Sequence, residues 1–441
     1  MSWSILASLV TVAVSLAVAL PSAPASDATV VRDAQALLER VAPGDGPGVA
    51  MLVAKGDRVL FRAARGRADL ELGVPLSPDH VFRIASVTKM FTAALVLKLV
   101  DEGKLSLDDR VSAYVPDAPN AQDITIRQLL NHTAGVPEGR GAKPLDFPPG
   151  TAWRYSNAGY ILLGRVIQRI TGQPWHVGLQ RLVGPLALTQ TRYGEGGPLI
   201  SGRVAGYTTD TPDHAVMNVP WLDPAVPDAA GALVSTLDDL LRWTRALHAG
   251  RVISRERYRD MITPVPVSAT SASTAYGLGV YVWRVRGATM IGHTGQIPGF
   301  ASVVGYLPDQ DLTVVALGND DAFDARTTGR RLAAIAIGAP YPAIVPATQT
   351  DAQLRRVEGV YRIDDASTRT LSVTSGTLYV QRTGRNKVRL QVTADGQLHV
   401  ADELSYFAPV TDTAGRVVRL DYFQDGEGPP VALPRVEGAT P

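Results

Sequence analysis

The chain of 441 residues contains no cysteine, which excludes disulfide bonds, cysteine-ligated zinc and lipid attachment of the lipoprotein type. Its 7 histidines are scattered without a pair at ligand spacing, so we expect neither a metal site nor a cofactor. The formal net charge is only +1, and no lysine run is present, which argues against nucleic acid as a partner. We therefore expect a globular protein of two or three domains whose function depends on its side chains alone.

An apolar run from Ile5 to Leu20 opens the chain and is shorter than a membrane-spanning helix usually requires. Ala23-Pro24-Ala25 follows and fits the small residues of a cleavage site, so residues 1–25 are predicted to be a signal peptide. We therefore expect an exported protein, periplasmic or extracellular, without a stable membrane span once cleaved. Because no Lys or Arg precedes the run, an uncleaved N-terminal anchor is the alternative.

Lysine is scarce, with 6 among the 43 basic residues, yet one of the six lies in Ser86-Val87-Thr88-Lys89. The apolar pattern from Ser86 to Glu102 predicts a helix buried on almost every side and ended by Gly103. Residues three apart share a helix face, so Lys89 would lie one turn from Ser86, where a buried amine loses its proton. Arginine could not lose its proton there. Composition alone gives about 0.3 such Ser/Lys motifs by chance, so this candidate nucleophile and base need further support.

Patterns on both sides of this helix predict a mixed domain over residues 26–337. After a helix near Val30–Val41, residues 48–63 alternate as the two strands of a hairpin. Further strand patterns occupy 276–285, 288–292, 300–307 and 313–317, and helical patterns occupy 158–170 and 326–337. We predict one antiparallel sheet flanked by helices, formed by 26–85 and 250–337, and a mostly helical lobe, formed by 86–249. The cleft between them would hold the site.

A proline-bearing stretch, 338–351, indicates a linker, and residues 352–441 are predicted to form a separate all-β domain. Its strand patterns are 359–363, 369–374, 377–382, 387–393, 397–400, 406–410, 417–423 and 431–435. About eight strands separated by short turns are typical of a small up-and-down barrel. The sequence does not indicate what this barrel is for.

Two further segments support the Ser/Lys motif. Tyr155-Ser156-Asn157 precedes the predicted helix at 158, and His293-Thr294-Gly295 lies between two predicted strands. Each alone is a weak signal, because Ser156 is a good N-cap and His-Thr-Gly is an ordinary turn. In this order, however, the motifs resemble those of the serine β-lactamase and penicillin-binding protein superfamily, on its class C and DD-peptidase side. The three motifs are S-x-x-K, Y-x-N and a basic residue before Thr-Gly.

Other segments carry the same resemblance across roughly residues 30–337. They are Phe82–Ala85, Leu129–Gly135, Pro149–Thr151, Ala158–Tyr160, Gly231–Ser235, Asp238–Leu240 and Tyr276–Gly279. The resemblance implies an α/β part plus an all-α part with the site between them, as in β-lactamases and transpeptidases. The C-terminal barrel is similar to the lipocalin-like domain that many serine hydrolases of this family carry.

Position by position, the resemblance makes Ser86 the nucleophile, Lys89 its proton acceptor and Tyr155 the acid/base that passes the proton to the leaving group. Asn157 would hold the substrate's amide oxygen. The backbone N–H groups of Ser86 and Gln296 would form the oxyanion hole. A covalent acyl-enzyme would follow, to be attacked by water or another acceptor.

His293, Thr294 and Gly295 are expected to bind substrate, but His293 stands where class C β-lactamases have lysine. Histidine at this place resembles DD-peptidases and D-aminopeptidase-like enzymes, so efficient β-lactam hydrolysis is in doubt. A neutral imidazole has no fixed charge, so its grip on a substrate carboxylate would weaken above a pKa near 6.5. The alternative is that His293 only holds the strand end against Tyr155.

The sequence thus predicts an exported serine hydrolase acting through a Ser acyl-enzyme on D-amino-acid peptides, amides or esters. The alternatives are a class C-like β-lactamase and a cell-wall peptide-binding or penicillin-sensing protein that acylates slowly or not at all. Lys89 and Tyr155 favour the enzyme, because a pure binder needs neither. An α/β-hydrolase is a weak rival, since no Ser has Gly at both −2 and +2. The expected partner is a small-molecule or peptide substrate, with cell-wall material as one source.

Overall fold

The computed structural model describes residues 26–139, 143–194, 197–267, 273–401 and 403–439. Its helices are α1 (Asp27–Val41), α2 (Thr88–Asp101), α3 (Ile126–Leu130), α4 (Asn157–Thr171), α5 (Trp175–Val183), α6 (Leu237–His248), α7 (Arg255–Ile262), α8 (Ala325–Ala336) and α9 (Asp351–Arg355). Within these ranges, none of the helices has the length and apolarity needed to cross a membrane. The predicted signal peptide, residues 1–25, lies outside the described residues.

One large antiparallel sheet joins the two ends of the region that precedes the barrel. The strands before the barrel are β1 (Val49–Lys55), β2 (Arg58–Arg65), β3 (Arg67–Asp69), β4 (Val74–Pro75), β5 (Phe82–Arg83), β6 (Arg192–Tyr193), β7 (Tyr207–Thr208), β8 (Met217–Asn218), β9 (Leu233–Ser235), β10 (Val265–Pro266), β11 (Thr274–Tyr276), β12 (Tyr281–Val285), β13 (Ala288–Ile297), β14 (Phe300–Leu307) and β15 (Leu312–Gly318). The large sheet has the order β10-β11-β12-β13-β14-β15-β1-β2. Because early β1 pairs with late β15, the sheet joins both ends of the region, as predicted.

Helices cover both faces of this sheet, which explains why β1 is apolar almost throughout. Alternate residues of β1, Ala50, Leu52 and Ala54, pack in a core with α2 and α6. The residues between them pack in a second core with α1 and α8. A strand buried on both faces loses the polar alternation that a half-exposed strand would show. The predicted β-lactamase/transpeptidase-like fold, an antiparallel sheet flanked by helices beside a helical lobe, is confirmed.

The start of the central helix differs from the prediction. Ser86 lies in a 3₁₀ turn, Ala85–Val87, and α2 begins only at Thr88. Ala85, fully buried, has φ +47°, a left-handed conformation that residues with a β-carbon rarely adopt. Such local strain persists where the surrounding packing determines the backbone, and it is frequent at functional sites.

The predicted strand over 276–285 is wrong, because it is two strands, β11 and β12, joined by a turn at residues 277–280. Gly279 in this turn has φ +78°, and a β-carbon there would lie 2.9 Å from the backbone oxygen of Lys89. The turn therefore packs directly on the first turn of α2, where only glycine fits.

The placement of residues 293–295 between two strands is also wrong. β13 continues to Ile297, because these residues pair with β14, His293 opposite Val304 and Gln296 opposite Ala301. On its other side β13 pairs with β12 only as far as Gly292. Residues 293–297 consequently form a strand with one open edge.

The C-terminal strands are β16 (Gly359–Arg362), β17 (Thr368–Thr374), β18 (Thr377–Arg382), β19 (Lys387–Val392), β20 (Leu398–Val400), β21 (Tyr406–Thr411), β22 (Val417–Phe423) and β23 (Val431–Pro434). They pair in chain order, and Tyr361 in β16 bridges to Arg435 after β23, so the barrel is nearly closed. Its interior is filled by side chains such as Leu371, Phe407 and Leu420. The predicted eight-stranded barrel is confirmed. Its likeness to lipocalins and the exact-residue domain boundaries at 26, 338 and 352 stay predictions.

Candidate active site

Ser86 lies between a short sheet and the open edge of β13. β5 pairs with β9 directly before the 3₁₀ turn of Ser86. On the other side, a β-carbon on Gly295 would lie 2.3 Å from the Ile84 oxygen and 2.9 Å from the Ser86 nitrogen. Ser302 in β14 donates from Oγ to the same Ile84 oxygen at 2.8 Å. Glycine at 295 thus allows the strand to approach the backbone of Ser86 closely.

The amine of Lys89, a residue with 0% exposure, contacts three oxygen atoms. Nζ lies 3.1 Å from Ser86 Oγ, 2.7 Å from Asn157 Oδ1 and 2.8 Å from the Ala230 backbone oxygen. Burial lowers the pKa of this amine well below its ordinary value, while the Glu138 carboxylate acts in the opposite direction. An uncharged amine has two hydrogens and one lone pair. When the amine is uncharged, the two carbonyl oxygens, which only accept, take both hydrogens and the lone pair faces the Ser86 hydroxyl.

Tyr155 completes a group of three side chains in mutual contact. Its ring centroid lies 4.8 Å from Lys89 Nζ. Burial raises the pKa of the Tyr155 phenol well above its ordinary value, and a hydrogen bond with Ser86 partly offsets this. The Tyr155 hydroxyl is therefore protonated at neutral pH. The side chains of the three predicted catalytic residues, which come from two distant segments, lie together in one crevice.

His132, which the sequence analysis did not single out, fixes the position of Tyr155. It is buried, and its ring centroid lies 4.4 Å from that of Tyr155. Its Nδ1 accepts a hydrogen bond from the Ser156 backbone N–H at 3.2 Å. Burial lowers the pKa of His132 well below its ordinary value, so the ring is neutral. The sequence signal that could have identified His132 is its place in segment 129–135, which carries the family resemblance.

Asn157 begins α4, and Ser156 before it is the N-cap, accepting from the Gly159 N–H at 3.1 Å. Since Asn157 Oδ1 contacts Lys89, its Nδ2 donor is left without a protein partner among the described residues. The exposed carboxylate of Glu138 accepts the Asn157 backbone N–H. Sequence analysis also missed Glu138, which belongs to no motif, and the Ala230 oxygen, which directly precedes the matching segment 231–235.

Two backbone N–H groups of β13 also point toward the turn that contains Ser86. Hairpins with two-residue loops join β13 to β12 and to β14. Residues flanking such a loop exchange hydrogen bonds, and the pattern then alternates along the strand. Even-numbered residues of β13 therefore bond toward β12. Because β12 ends at Tyr281, opposite Gly292, the N–H groups of Thr294 and Gln296 point from the open edge beside the turn of Ser86.

His293 is buried, with 1% exposure, and both of its ring nitrogens have protein partners. Nδ1 contacts the Thr294 oxygen, and Nε2 lies 2.9 Å from the Tyr276 hydroxyl. A carbonyl only accepts, so Nδ1 carries the hydrogen and Tyr276 donates to Nε2. Burial lowers the pKa of His293 to about 3. The change of charge expected near pH 6.5 is therefore displaced far into the acid range.

Acid is expected to destabilise the fold through such histidines. Burial lowers the pKa of His248, like that of His293, to about 3. Below about pH 6.5 the unfolded chain binds protons that the folded chain does not, so stability falls as the pH drops toward 3, by about 1.4 kcal/mol per pH unit for each histidine. Denaturant unfolding measured from about pH 6 to about pH 4 should show a slope that His248→Gln reduces by this amount. The control Ser201→Ala, at an exposed residue that does not titrate, should leave the slope unchanged, and an equal effect of both variants would contradict the assignment.

The side chains surround a cavity of about 620 Å³. Its walls include Ser86, Tyr155, Asn157, Tyr281, residues 293–296, Asp210, Asp321, Asp324 and Arg326. All the residues that the sequence predicts for the site line this cavity except Lys89, which lies beneath it. In the described parts of the chain, no group of three His, Asp or Glu side chains is arranged to hold a metal ion.

A serine beside a buried lysine of lowered pKa, between an antiparallel sheet and a helical lobe, is the arrangement of a serine hydrolase with an acyl-enzyme. Comparison with known families agrees. The family model described as Beta-lactamase matches residues 34–337, well over half of the chain. The chain therefore belongs to the Beta-lactamase family and is a serine hydrolase of the β-lactamase-related type.

Individual relatives carry several names. Penicillin-binding protein 4* of Bacillus subtilis (strain 168) is 26% identical over 391 residues, which cover 77% of this chain and 85% of that protein. A D-aminopeptidase of Gluconobacter oxydans (strain 621H) is 26% identical over 323 residues, covering 67% of this chain and 60% of the relative. Among solved structures, a D-stereospecific amidohydrolase from Streptomyces sp. is similar with a TM-score of 0.61 and 27% identity, over 67% of this chain and 96% of that one.

Proposed function

We propose that the protein hydrolyses D-amino-acid peptides, amides or esters through an acyl-enzyme on Ser86. The observation that carries this proposal is the contact of the buried Lys89 amine with the Ser86 hydroxyl at 3.1 Å. The relatives named as a D-aminopeptidase and a D-stereospecific amidohydrolase support the substrate class. Export after loss of residues 1–25 is part of the same proposal and rests on the sequence alone.

In the proposed reaction, Lys89 takes the proton of Ser86 while Oγ attacks the substrate carbonyl. The N–H groups of Ser86 and Gln296 receive the oxyanion, and Asn157 Nδ2 donates to the substrate's amide oxygen. The proton passes through the Tyr155 hydroxyl to the leaving nitrogen or oxygen, whose bond to the acyl carbon breaks. Water then attacks the ester, and the same groups return the proton to Ser86.

The resting charges suit this sequence of steps. The lowered pKa of Lys89 favours the uncharged base, and the raised pKa of Tyr155 keeps the phenol protonated before substrate binds. When Lys89 takes a proton, the positive charge forms near the Glu138 carboxylate, which favours the charged form. His132 acts on Tyr155 as a positioning residue, through ring contact and the Ser156 N–H.

The β-lactamase alternative receives less support. A lysine at position 293 would offer a fixed positive charge to a β-lactam carboxylate, whereas His293 is neutral and has both nitrogens engaged. We propose instead that His293 orients Thr294 at the cavity wall and holds the buried Tyr276 behind it. Thr294 and Gly295 would then contact substrate through the open edge of β13.

A panel of substrates tests the proposal. D-alaninamide and a D-alanyl p-nitrophenyl ester should be turned over at least about 10-fold faster than their L counterparts, a ratio typical of pocket shape. A chromogenic cephalosporin should be a slower substrate than both. The measurement is kcat/KM for each compound, with a D-Ala-D-Ala peptide in parallel. Fastest turnover of the cephalosporin would favour the β-lactamase, and a stoichiometric adduct without turnover would favour the binding protein.

A further inference from the structure

A second cavity, of about 500 Å³, lies where the barrel meets the hydrolase domain. Trp153, Tyr281 and Arg326 line it from the hydrolase domain, and Arg369, Arg382 and Tyr422 line it from the barrel. Tyr281 and Arg326 also line the catalytic cavity, so the two cavities share a wall. A volume of this size is in the range of small-molecule sites.

The two barrel arginines lie next to each other although both carry a positive charge. Arg369 in β17 stands directly opposite Arg382 in β18. Like charges in this position destabilise a sheet. In the described part of the chain neither guanidinium has a carboxylate within ion-pair distance. Arg369 instead lies 4.7 Å from the ring centroid of Tyr422 and 4.9 Å from that of Phe407.

Burial lowers the pKa of Arg369 and the neighbouring charge of Arg382 adds to this effect, while Tyr422 and the more distant Glu403 act in the opposite direction. The nearby carboxylate of Asp425 does not compensate these charges, because Arg326 already contacts it at 2.7 Å. Arg330 contacts the same Asp425 oxygen at 3.0 Å. A pair of solvated surface arginines would spread apart into water, whereas Arg369 is held against aromatic rings. The barrel side of the cavity therefore presents two guanidinium groups that have no direct ion pair among the described residues, next to aromatic and aliphatic side chains.

The position of the second cavity relative to Ser86 indicates which part of a substrate would reach it. The ring of Trp153 lies 6.5 Å from that of Tyr155, and the ring of Tyr281 lies 5.0 Å from that of His293. The cavity thus begins on the Tyr155 side of the site. Tyr155 is the residue proposed to protonate the leaving group, so the leaving group departs in this direction.

We propose that this second cavity is a subsite for the leaving-group portion of the substrate and that Arg369 and Arg382 bind a carboxylate there. This inference rests on the proposed function and narrows it to peptides whose leaving part is longer than ammonia or a small alcohol and ends in a free carboxyl group. Paired guanidinium donors suit a carboxylate, and aromatic walls suit the apolar parts of a peptide. The barrel would then select substrates without taking part in the chemistry.

Kinetics with one acyl group and three leaving groups test the subsite. D-alanyl-Gly-Gly, its C-terminally amidated form and D-alaninamide are compared in wild type, Arg369→Gln and Arg382→Gln. Each variant should lower kcat/KM for D-alanyl-Gly-Gly about tenfold, the loss of about 1.4 kcal/mol, and leave the other two substrates unchanged. Arg389→Gln, which changes an exposed barrel arginine outside the cavity, is the matched control and should change nothing. Equal losses on the amidated peptide, or no loss on D-alanyl-Gly-Gly, would overturn the subsite.

A separate measurement keeps the subsite testable if D-alanyl compounds are not substrates at all. Gly-Gly-Gly, as a leaving-group product, should inhibit hydrolysis of a short-chain p-nitrophenyl ester. Its C-terminal amide should inhibit more weakly. Arg369→Gln should remove this difference, and Arg389→Gln should keep it. Equal inhibition by both peptides in wild type would refute carboxylate binding even if the D-amino-acid proposal holds.

Discussion

The variant Ser86→Ala is expected to lose covalent labelling completely and to hydrolyse a p-nitrophenyl ester about 10⁴-fold more slowly than wild type or worse. Removing Oγ removes the atom that would form the acyl bond, and losses of this order follow when the nucleophile of a coupled catalytic group is deleted. The backbone donors at Ser86 and Gln296 remain, so weak residual catalysis over water is expected. Labelling with a fluorophosphonate, followed by mass spectrometry of the modified peptide, measures the loss.

The control for this experiment is Ser201→Ala, which changes an exposed serine outside the catalytic cavity and should label and turn over as wild type. Ser86 makes its side-chain contacts with Lys89 and Tyr155, so the substitution should cost little stability. Thermal unfolding of the two variants checks this. An adduct that persists in Ser86→Ala at another residue would mean that the nucleophile has been misassigned.

The pairing of Ser86 with Lys89 was predictable because it is local. Three residues separate the two side chains, and a helical turn brings such neighbours onto one face whether it is 3₁₀ or α. The 3₁₀ geometry at Ser86 was not predictable, since it depends on Ala85, whose left-handed φ is imposed by its burial between β5 and α2. The burial of Lys89 followed from the apolar residues around it.

The partners of Lys89 that come from elsewhere could not be derived from spacing. Asn157 was named through resemblance, but its contact with Lys89 spans 68 residues, and that with the Ala230 oxygen spans 141. No periodicity encodes such distances, because they result from packing α4 and the 228–230 turn against α2. A backbone oxygen also leaves no mark in the residue type that supplies it.

The open edge of β13 shows a different limit of sequence patterns. The pattern of β-branched and apolar residues ends at Gly292, and His293-Thr294-Gly295-Gln296 has the composition of a turn. Pairing with β14 nevertheless continues the strand to Ile297. The same polar composition that hid the strand is what the site requires, because Gly295 allows close approach to Ser86 and His293 fills a polar position in the core. Functional sites are where local preference and final structure are expected to disagree.

Replacing Lys89 by methionine is expected to reduce kcat about 10²- to 10⁴-fold, the usual contribution of a positioned general base. Methionine matches the unbranched shape of lysine but has no lone pair able to take the Ser86 proton. The Asn157 and Ala230 oxygens would lose their donor, at a cost of about 1–3 kcal/mol for each buried group. Relief from burying an ionisable amine would offset part of this cost. Acylation by a fluorophosphonate and kcat for ester hydrolysis measure the effect, with thermal unfolding to follow stability.

Lys98→Met is the matched control, because it makes the same change in the same helix at a half-buried residue that has no contact with Ser86. This variant should keep wild-type kcat.

The shape of the pH profile distinguishes a general base from a residue that only packs. In wild type, kcat/KM should fall in acid as Lys89 becomes protonated, and the lowered pKa of Lys89 moves this fall well below pH 10.5. Lys89→Met should lose that fall together with its activity; if the same acid limb remains in Lys89→Met, the proton acceptor of Ser86 is another group.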